Sequence, residues 1–303
     1  MNKKDDFQLI KHIESVRVFK GYDILGKPAL VFIFQKKPSF ELNTAMIKSR
    51  IVQYEKEFRL FISLIKEEEE AIEIFDILTD DLLSSVENAD SEDQILLVLS
   101  QRFVYWAEFF KQQRRTLNEK WIRGIIGELW FLEEKLAPYI GMDTAVKSWT
   151  GPDKANQDFI TEDKKFEIKT KLGNSPTVKI SNRNQLDKDM YLSVIGLTKS
   201  SEVAKDAIRL SILTENIKNK ILSPETRQQF NQKLFDLDLI TKETIKQYDE
   251  FSYTVDNMQL FYIDEAFPII KHSDVPDSVI TYSYDLLLNA IKDFEISEDE
   301  IWN

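Results

Sequence analysis

Within residues 157–170, QDFITEDKKFEIKT, two β-patterned stretches flank a polar turn at Glu162 and Asp163. A hairpin closed by a two-residue loop sets Thr161 opposite Lys164 and, stepping outward, Asp158 opposite Glu167, with facing β-carbons about 4.5–5.5 Å apart on one side of the sheet. Lys169, two residues beyond Glu167, shares that side, while Phe166 and Ile168 turn to the other. Two carboxylates and an ammonium are thus expected together on an apolar-backed strand. Like charges facing each other are destabilising, and a divalent cation would remove the conflict. Hard oxygen ligands suit Mg²⁺ or Mn²⁺. An ion held there lowers the pKa of its water and neutralises charge developing on a phosphodiester, with Lys169 orienting that water or stabilising the charged transition state. The acidic-x-Lys triplet carries little weight alone, because 52 acidic residues supply about five by chance. The weight lies in its strand and in the upstream aspartate in matching register.

The elements around the hairpin must place those groups. A helix is expected over residues 120–136, closed by Pro138 and Gly141, with Trp121, Ile125, Leu132 and Leu136 in one stripe. Glu128 falls at the edge of that buried stripe. A buried acid is either paired structurally or functional, and the neighbouring hairpin favours function. Gly124 and Gly127 would let the face approach another element closely. Short strands are expected through residues 155–198, ending in MYLSVIGL (190–197), with a polar connection around Asn184 between them. Gln185 could reach the site from that connection, although a surface glutamine is the commoner outcome.

Upstream, residues 15–34 read as a hairpin or meander, 46–64 are ambiguous between helix and strand, and 67–86 and 91–110 read as amphipathic helices. The acidic run at 67–70 is a solvated helix start favoured by the dipole. The aromatics of FVYWAEFF (103–110) have the helical spacing of core residues rather than of a base-stacking platform. Residues 201–249 read as helical, and FSYTV, QLFYI and SVITYSYDL as three closing β stretches. The division expected is an N-terminal β-meander with helices (1–100), a central core (101–200), and a C-terminal helical segment with closing strands (201–303) packed on it. The fold class is α/β.

Composition narrows the chemistry. The 303 residues contain no cysteine, which excludes disulfides, thiolate metal sites and a thiol nucleophile. Only His12 and His272 are present, which disfavours a Ser-His-Asp triad or a multi-histidine metal centre. The start, MNKKDDFQLI, is charged where a signal peptide is apolar, and no apolar run approaches the roughly 20 residues of a membrane span, so a cytoplasmic protein without membrane contact is expected. The net charge is −12, but its distribution is uneven: 13 basic and 19 acidic residues in the first hundred, 17 and 13 in the second, 10 and 20 in the remainder. The positive middle third locates a candidate phosphate-binding surface. There Lys164, Lys165, Lys171, Lys179, Arg183 and Lys188 surround the site, and Arg114, Arg115, Lys120 and Arg123 precede or open the helix. Lys171 shares the parity of Glu167 and Lys169 and is the best phosphate contact.

The segments GIIGELWFLEEKL, WTGPDKANQDF, FEIKT, NQLD and MYLSVIGL, with the closing AFPIIKHSDVPDSVITYSYDLL, resemble the bacterial PD-(D/E)XK family of endonuclease-like proteins. These are relatives of restriction enzymes found among DNA-modification and defence genes. The resemblance spans most of the chain. It implies a restriction-endonuclease-like core, a mixed central sheet flanked by helices, with added N-terminal β/α and C-terminal α/β elements. It implies DNA hydrolysis with Mg²⁺ or Mn²⁺, with Glu128 matching the helix glutamate, Asp158 the metal-binding aspartate, Glu167 the second acid and Lys169 the lysine. All four are intact. Pro152-Asp153 reads literally as the "PD", but hairpin register favours Asp158 as ligand and leaves Asp153 to shape the turn. Gln157 stands where relatives carry a histidine. The acidic outer thirds favour protein partners, such as a methyltransferase, helicase or ATPase subunit, or a second copy of the chain in a homodimer. The competing reading is a non-catalytic subunit that keeps the fold to bind DNA or such a partner.

Overall fold

The computed structural model describes every residue except 1–6, 66–67, 112–117, 154, 202, 271–273, 277 and 303, and the chain divides into two compact units, 1–115 and 116–303. Arg114, Arg115 and His272 lie outside the described residues.

The first unit is built on five antiparallel strands, β1 (Gln8–Ile13), β2 (Val16–Tyr22), β3 (Pro28–Phe34), β4 (Ile47–Tyr54) and β5 (Glu57–Leu64), in the order β1-β2-β3-β5-β4. The ambiguous stretch 46–64 is therefore a hairpin. Its Ile47, Leu60, Ile62 and Leu64 are buried at two-residue spacing, the period that a strand with one covered face requires. The helices follow as α1 (Glu69–Ser85), which packs on β5, and α2 (Glu92–Lys111), which packs on α1. Helix α2 runs without interruption through residue 100. Of its aromatics, Phe103 and Trp106 are buried, and the Trp106 indole N–H donates to Asp81 at 2.8 Å.

The second unit opens with α3 (Glu119–Phe131), started by the Asn118 side chain, which accepts from the Trp121 amide. The helix does not close at Pro138. It widens into one π-helical turn at Leu132–Leu136 and continues into α4 (Ala137–Ile140), where Pro138 sits in the first turn and needs no amide partner. Gly141 then starts α5 (Met142–Ser148), a helix the sequence pattern did not separate. The strands are β6 (Phe159–Ile160), β7 (Lys165–Leu172), β8 (Thr177–Ile180) and β9 (Met190–Ser200). Helices α6 (Leu210–Lys220), α7 (Pro224–Asp236) and α8 (Lys242–Lys246) fill the expected helical stretch. FSYTV and QLFYI are not two strands but one, β10 (Ser252–Ile263), whose register shifts once between Val255 and Asn257. Only the end of SVITYSYDL is extended, as part of β11 (Tyr284–Leu287), and β12 (Glu295–Ile296) and α9 (Glu298–Trp302) close the chain.

The central sheet has the order β12-β10-β9-β7-β6 and is mixed: β7 and β9 are parallel and the other pairings antiparallel. One side is covered by α3, α5, α6 and α7 through Ile122, Ile126, Phe166, Ile195, Leu213 and Phe230. On the other side Leu192, Val194, Phe261 and Ile263 meet the small β8–β11 sheet through Val178, Ile180 and Leu286. This is the mixed sheet flanked by helices, with N-terminal and C-terminal additions, that the sequence implied. Among the described residues no helix is long and apolar enough to cross a membrane.

Candidate active site

The β6–β7 pairing sets Phe159 opposite Phe166 and Ile160 opposite Lys165, and the Thr161 amide donates to the Lys164 carbonyl at 2.8 Å. That register carries Asp158 to the level of Glu167. The Asp158 amide donates to the Phe166 carbonyl at 3.1 Å, and its Oδ2 accepts from the Ile168 amide at 2.7 Å, so the carboxylate is tied to the strand bearing Glu167 and Lys169.

Glu167 is fully buried. Its Oε1 accepts from Lys169 Nζ at 2.5 Å, while Oε2 is buried with no hydrogen-bond partner. The second acceptor on Lys169 Nζ is Gln185 Oε1 at 3.1 Å, and the same amide oxygen accepts from the Ser181 backbone at 2.7 Å. Gln185 thus reaches the site rather than lying on the surface, because its own backbone turn holds it there. Gln157 is half-buried and donates to the Asn184 carbonyl at 3.0 Å, outside this constellation.

Glu128 arrives from α3. Its Oε2 accepts from the Trp149 indole N–H at 2.8 Å. A Cβ built on Gly151 would lie 2.9 Å from that oxygen and 3.3 Å from Asp158 Oδ1, so the missing side chain at 151 leaves the space that both carboxylates border. The two helix glycines differ. A Cβ at Gly127 would overlap the Thr170 methyl on β7, which explains the close helix–sheet approach, whereas one at Gly124 would meet nothing. The expected close approach at Gly124 does not occur.

The segment 149–153 that carries Gly151 is held from behind. Lys233 of α7 donates to the Trp149 carbonyl at 2.6 Å and to Asp153 Oδ2 at 2.5 Å. Asp153 therefore fastens the turn to α7. Sequence reasoning did not single out Trp149, Gly151 or Lys233. WTGPD signals a turn, but only tertiary structure shows that its indole and its glycine face Glu128.

Glu128, Asp158, Glu167 and Lys169 all line one open cavity of about 410 Å³, together with Lys120, Arg123, Lys179 and Gln185. Lys165, Arg183 and Lys188 line a different hollow, of about 920 Å³. Lys164 pairs with Asp163, and Lys171, expected to contact phosphate, instead donates to the Ser175 carbonyl at 3.2 Å because β7 turns immediately after Leu172.

Three carboxylates facing one ammonium resist ionisation. Burial, reinforced by the charge of Asp158, pushes the Glu167 carboxyl up to about 8 against the pull of Lys169. Burial and then the repulsion of Asp158 raise Glu128 well above the usual range, with the Trp149 hydrogen bond opposing. Asp158 is also raised by burial, less so because Lys169 and the Ile168 amide favour its charged form. Each acid has its own donor, and among the described residues no group of three or more His, Asp or Glu side chains converges to hold a metal ion. Glu128, expected to complete or support a metal shell of Asp158 and Glu167, is held on the Trp149 indole and borders the same space as Asp158. The residues still fit a hard divalent cation in a different way. Mg²⁺ is commonly held by one or two carboxylates with waters, and Glu167 Oε2 is a buried oxygen without a donor.

The family model described as "Putative PD-(D/E)XK family member" (DUF4420) matches residues 3–289, and the chain belongs to that family. The chain matches no curated protein and no solved structure.

Proposed function

We propose that the protein is a metal-dependent nuclease that hydrolyses phosphodiester bonds in DNA as a component of restriction-modification or anti-phage defence. The observation that carries this reading is Glu167: a fully buried carboxylate with one oxygen on Lys169 and the other without any donor, at the level of a second carboxylate, Asp158. A protein gains nothing in stability from such an arrangement, and perturbed acids in a polar cleft mark functional sites. Asp158 and Glu167 are the residues that would hold Mg²⁺ or Mn²⁺, with Glu128 supporting them across the space beside Gly151. The cation would supply charge neutralisation at the scissile phosphate and a more acidic water.

The remaining work falls to the chain. Lys169 Nζ, fixed between Glu167 and Gln185, presents its third donor direction to the attacking water or to a non-bridging phosphate oxygen. Water adds to phosphorus and gives up a proton as the bond to the leaving deoxyribose oxygen breaks and that oxygen takes one up, giving a phosphomonoester and a hydroxyl. Lys120, Arg123 and Lys179 line the same cavity and would receive flanking phosphates.

A second reading, a non-catalytic subunit that uses this fold to bind DNA or a methyltransferase, helicase or ATPase partner, draws support from the absence of a three-ligand cluster among the described residues. Calorimetric titration of Mg²⁺ and Mn²⁺ into wild type and Asp158→Ala, with the same samples assayed on supercoiled plasmid, separates the two. Metal binding and nicking that vanish together in the variant support the nuclease. Absence of both in wild type favours the binding subunit.

A further inference from the structure

The first unit carries a cavity of its own, on the sheet face turned away from the buried side. Along β2, β3 and β5, Val16, Val18, Leu30, Phe32, Leu60 and Ile62 are fully buried. The alternate residues form two rows on the opposite face. Phe19, Val31 and Phe61 pair across three strands in one row, and Arg17, Ile33 and Arg59 in the next, with Arg50 of β4 beside Phe61. They enclose about 390 Å³, a volume within the range of small-ligand pockets.

The choice of cation is selective. The first hundred residues contain three arginines and ten lysines; all three arginines line this cavity and none of the described lysines does. Arginine differs from lysine in offering a planar fork that grips phosphate and stacks on rings. Both uses are prepared here: the Arg50 guanidinium lies 4.8 Å from the Phe61 ring centre and that of Arg59 lies 4.4 Å from the Tyr54 ring centre. Arg17 is paired with Glu57 at 2.5 Å. Asp23 also lines the cavity, its Oδ1 taken by the Leu25 and Lys27 amides, and Arg59 Nε is buried with no hydrogen-bond partner.

We propose that this face binds single-stranded nucleic acid, with a base against Phe19 and Phe61 and its phosphates on Arg50 and Arg59. Open rings on a sheet, interleaved with arginine forks, suit unpaired bases, whose faces are free to stack. The proposal is independent of the nuclease reading.

The test is fluorescence anisotropy of labelled oligothymidylate and oligouridylate titrated with the full-length protein in EDTA, where cleavage cannot contribute. Wild type is expected to bind one or both oligomers, the comparison distinguishing DNA from RNA. Arg50→Glu, on an exposed side chain that the fold does not need, is expected to weaken binding at least tenfold and to reduce the salt slope by about 0.7. Phe61→Leu is expected to weaken binding with the salt slope unchanged, and Lys246→Met, an exposed cation of the other unit outside its cleft, to bind as wild type. The proposal is overturned by any of four results: no binding by wild type, wild-type affinity in Arg50→Glu, loss of binding in Lys246→Met, or displacement by an acidic glutamate–tyrosine copolymer at lower concentration than by unlabelled oligonucleotide. The last result would assign the face to a protein partner.

Discussion

Replacing Glu167 with glutamine removes one ionisation and almost nothing else, because the amide has the size of the protonated acid. In the folded protein this carboxyl titrates at about 8, against 4.5 when solvated. A raised pKa means that the native state holds the proton that the unfolded chain releases. The stability associated with the neutral acid is therefore fully present below pH 4.5 and is lost as the pH rises through about 8. The gap corresponds to about 4 kcal/mol of lost stability at pH 8 and to almost none at pH 4.5. The attraction of Lys169 is already contained in that pKa, so losing the pair does not cancel the gain. Glu167→Gln should consequently unfold with the wild type near pH 4.5 and be more stable than it at pH 8. For a unit of this size the difference is roughly 10 °C in melting temperature. Scanning calorimetry in EDTA at the two pH values measures it, following the transition of the second unit. An equal offset at both pH values, or a variant less stable at pH 8, would refute the argument that burial and Asp158 dominate over Lys169.

Three further outcomes test the site. Asp158→Ala and Lys169→Ala should each abolish plasmid cleavage while circular dichroism stays unchanged, and Asp153→Ala, whose carboxylate is bound to Lys233, should be milder; loss with Asp153→Ala and normal nicking by Asp158→Ala would overturn the assigned register. Lys233→Met should lower cleavage without abolishing it, because it frees the Trp149–Asp153 turn from α7 while leaving every carboxylate in place, and a Mg²⁺ titration should show weaker binding in the variant than in wild type. Gly127→Ala should destabilise the protein by about 1–3 kcal/mol in urea unfolding, since the new methyl overlaps the Thr170 side chain, whereas Gly124→Ala should be neutral or slightly stabilising in the same experiment.

The register of Asp158 with Glu167 was legible because a two-residue turn and an alternating strand leave one pairing that buries Phe159 and Phe166 together. Glu128 was legible as an acid at the edge of an apolar stripe, and the amphipathic helices α1 and α2 by their period. What stayed hidden depends on contacts distant in sequence. Trp149 reads as an ordinary core residue until α3 brings Glu128 to its indole N–H, and Lys233 reads as a solvated helix lysine although it reaches back 84 positions to the Trp149 carbonyl. Gln185 sits in a polar loop that predicts exposure, and only the Ser181 amide turns it toward Lys169. Pro138 was misleading for a local reason: a proline ends a helix interior but is tolerated in a first turn, and the π-helical turn before it supplies a new start.

These distant contacts share a direction. Trp149, the Ile168 amide and Gln185 each fix one member of the site with a neutral group, while Lys233, its charge met by Asp153, holds the Trp149–Asp153 turn from behind. The fold thus orients Glu128, Asp158 and Glu167 chiefly with neutral groups and leaves their ionisation opposed by burial and by one another, with one cation, Lys169, beside them. A core selected for stability alone would place an apolar side chain at 167, where β7 is already sealed between Phe166 and Ile168 on its far face and Leu192 beside it. Rigid acids whose ionisation awaits a counter-charge are instead what a cation-binding site requires, since ligands that are already placed need not be reorganised when the ion arrives.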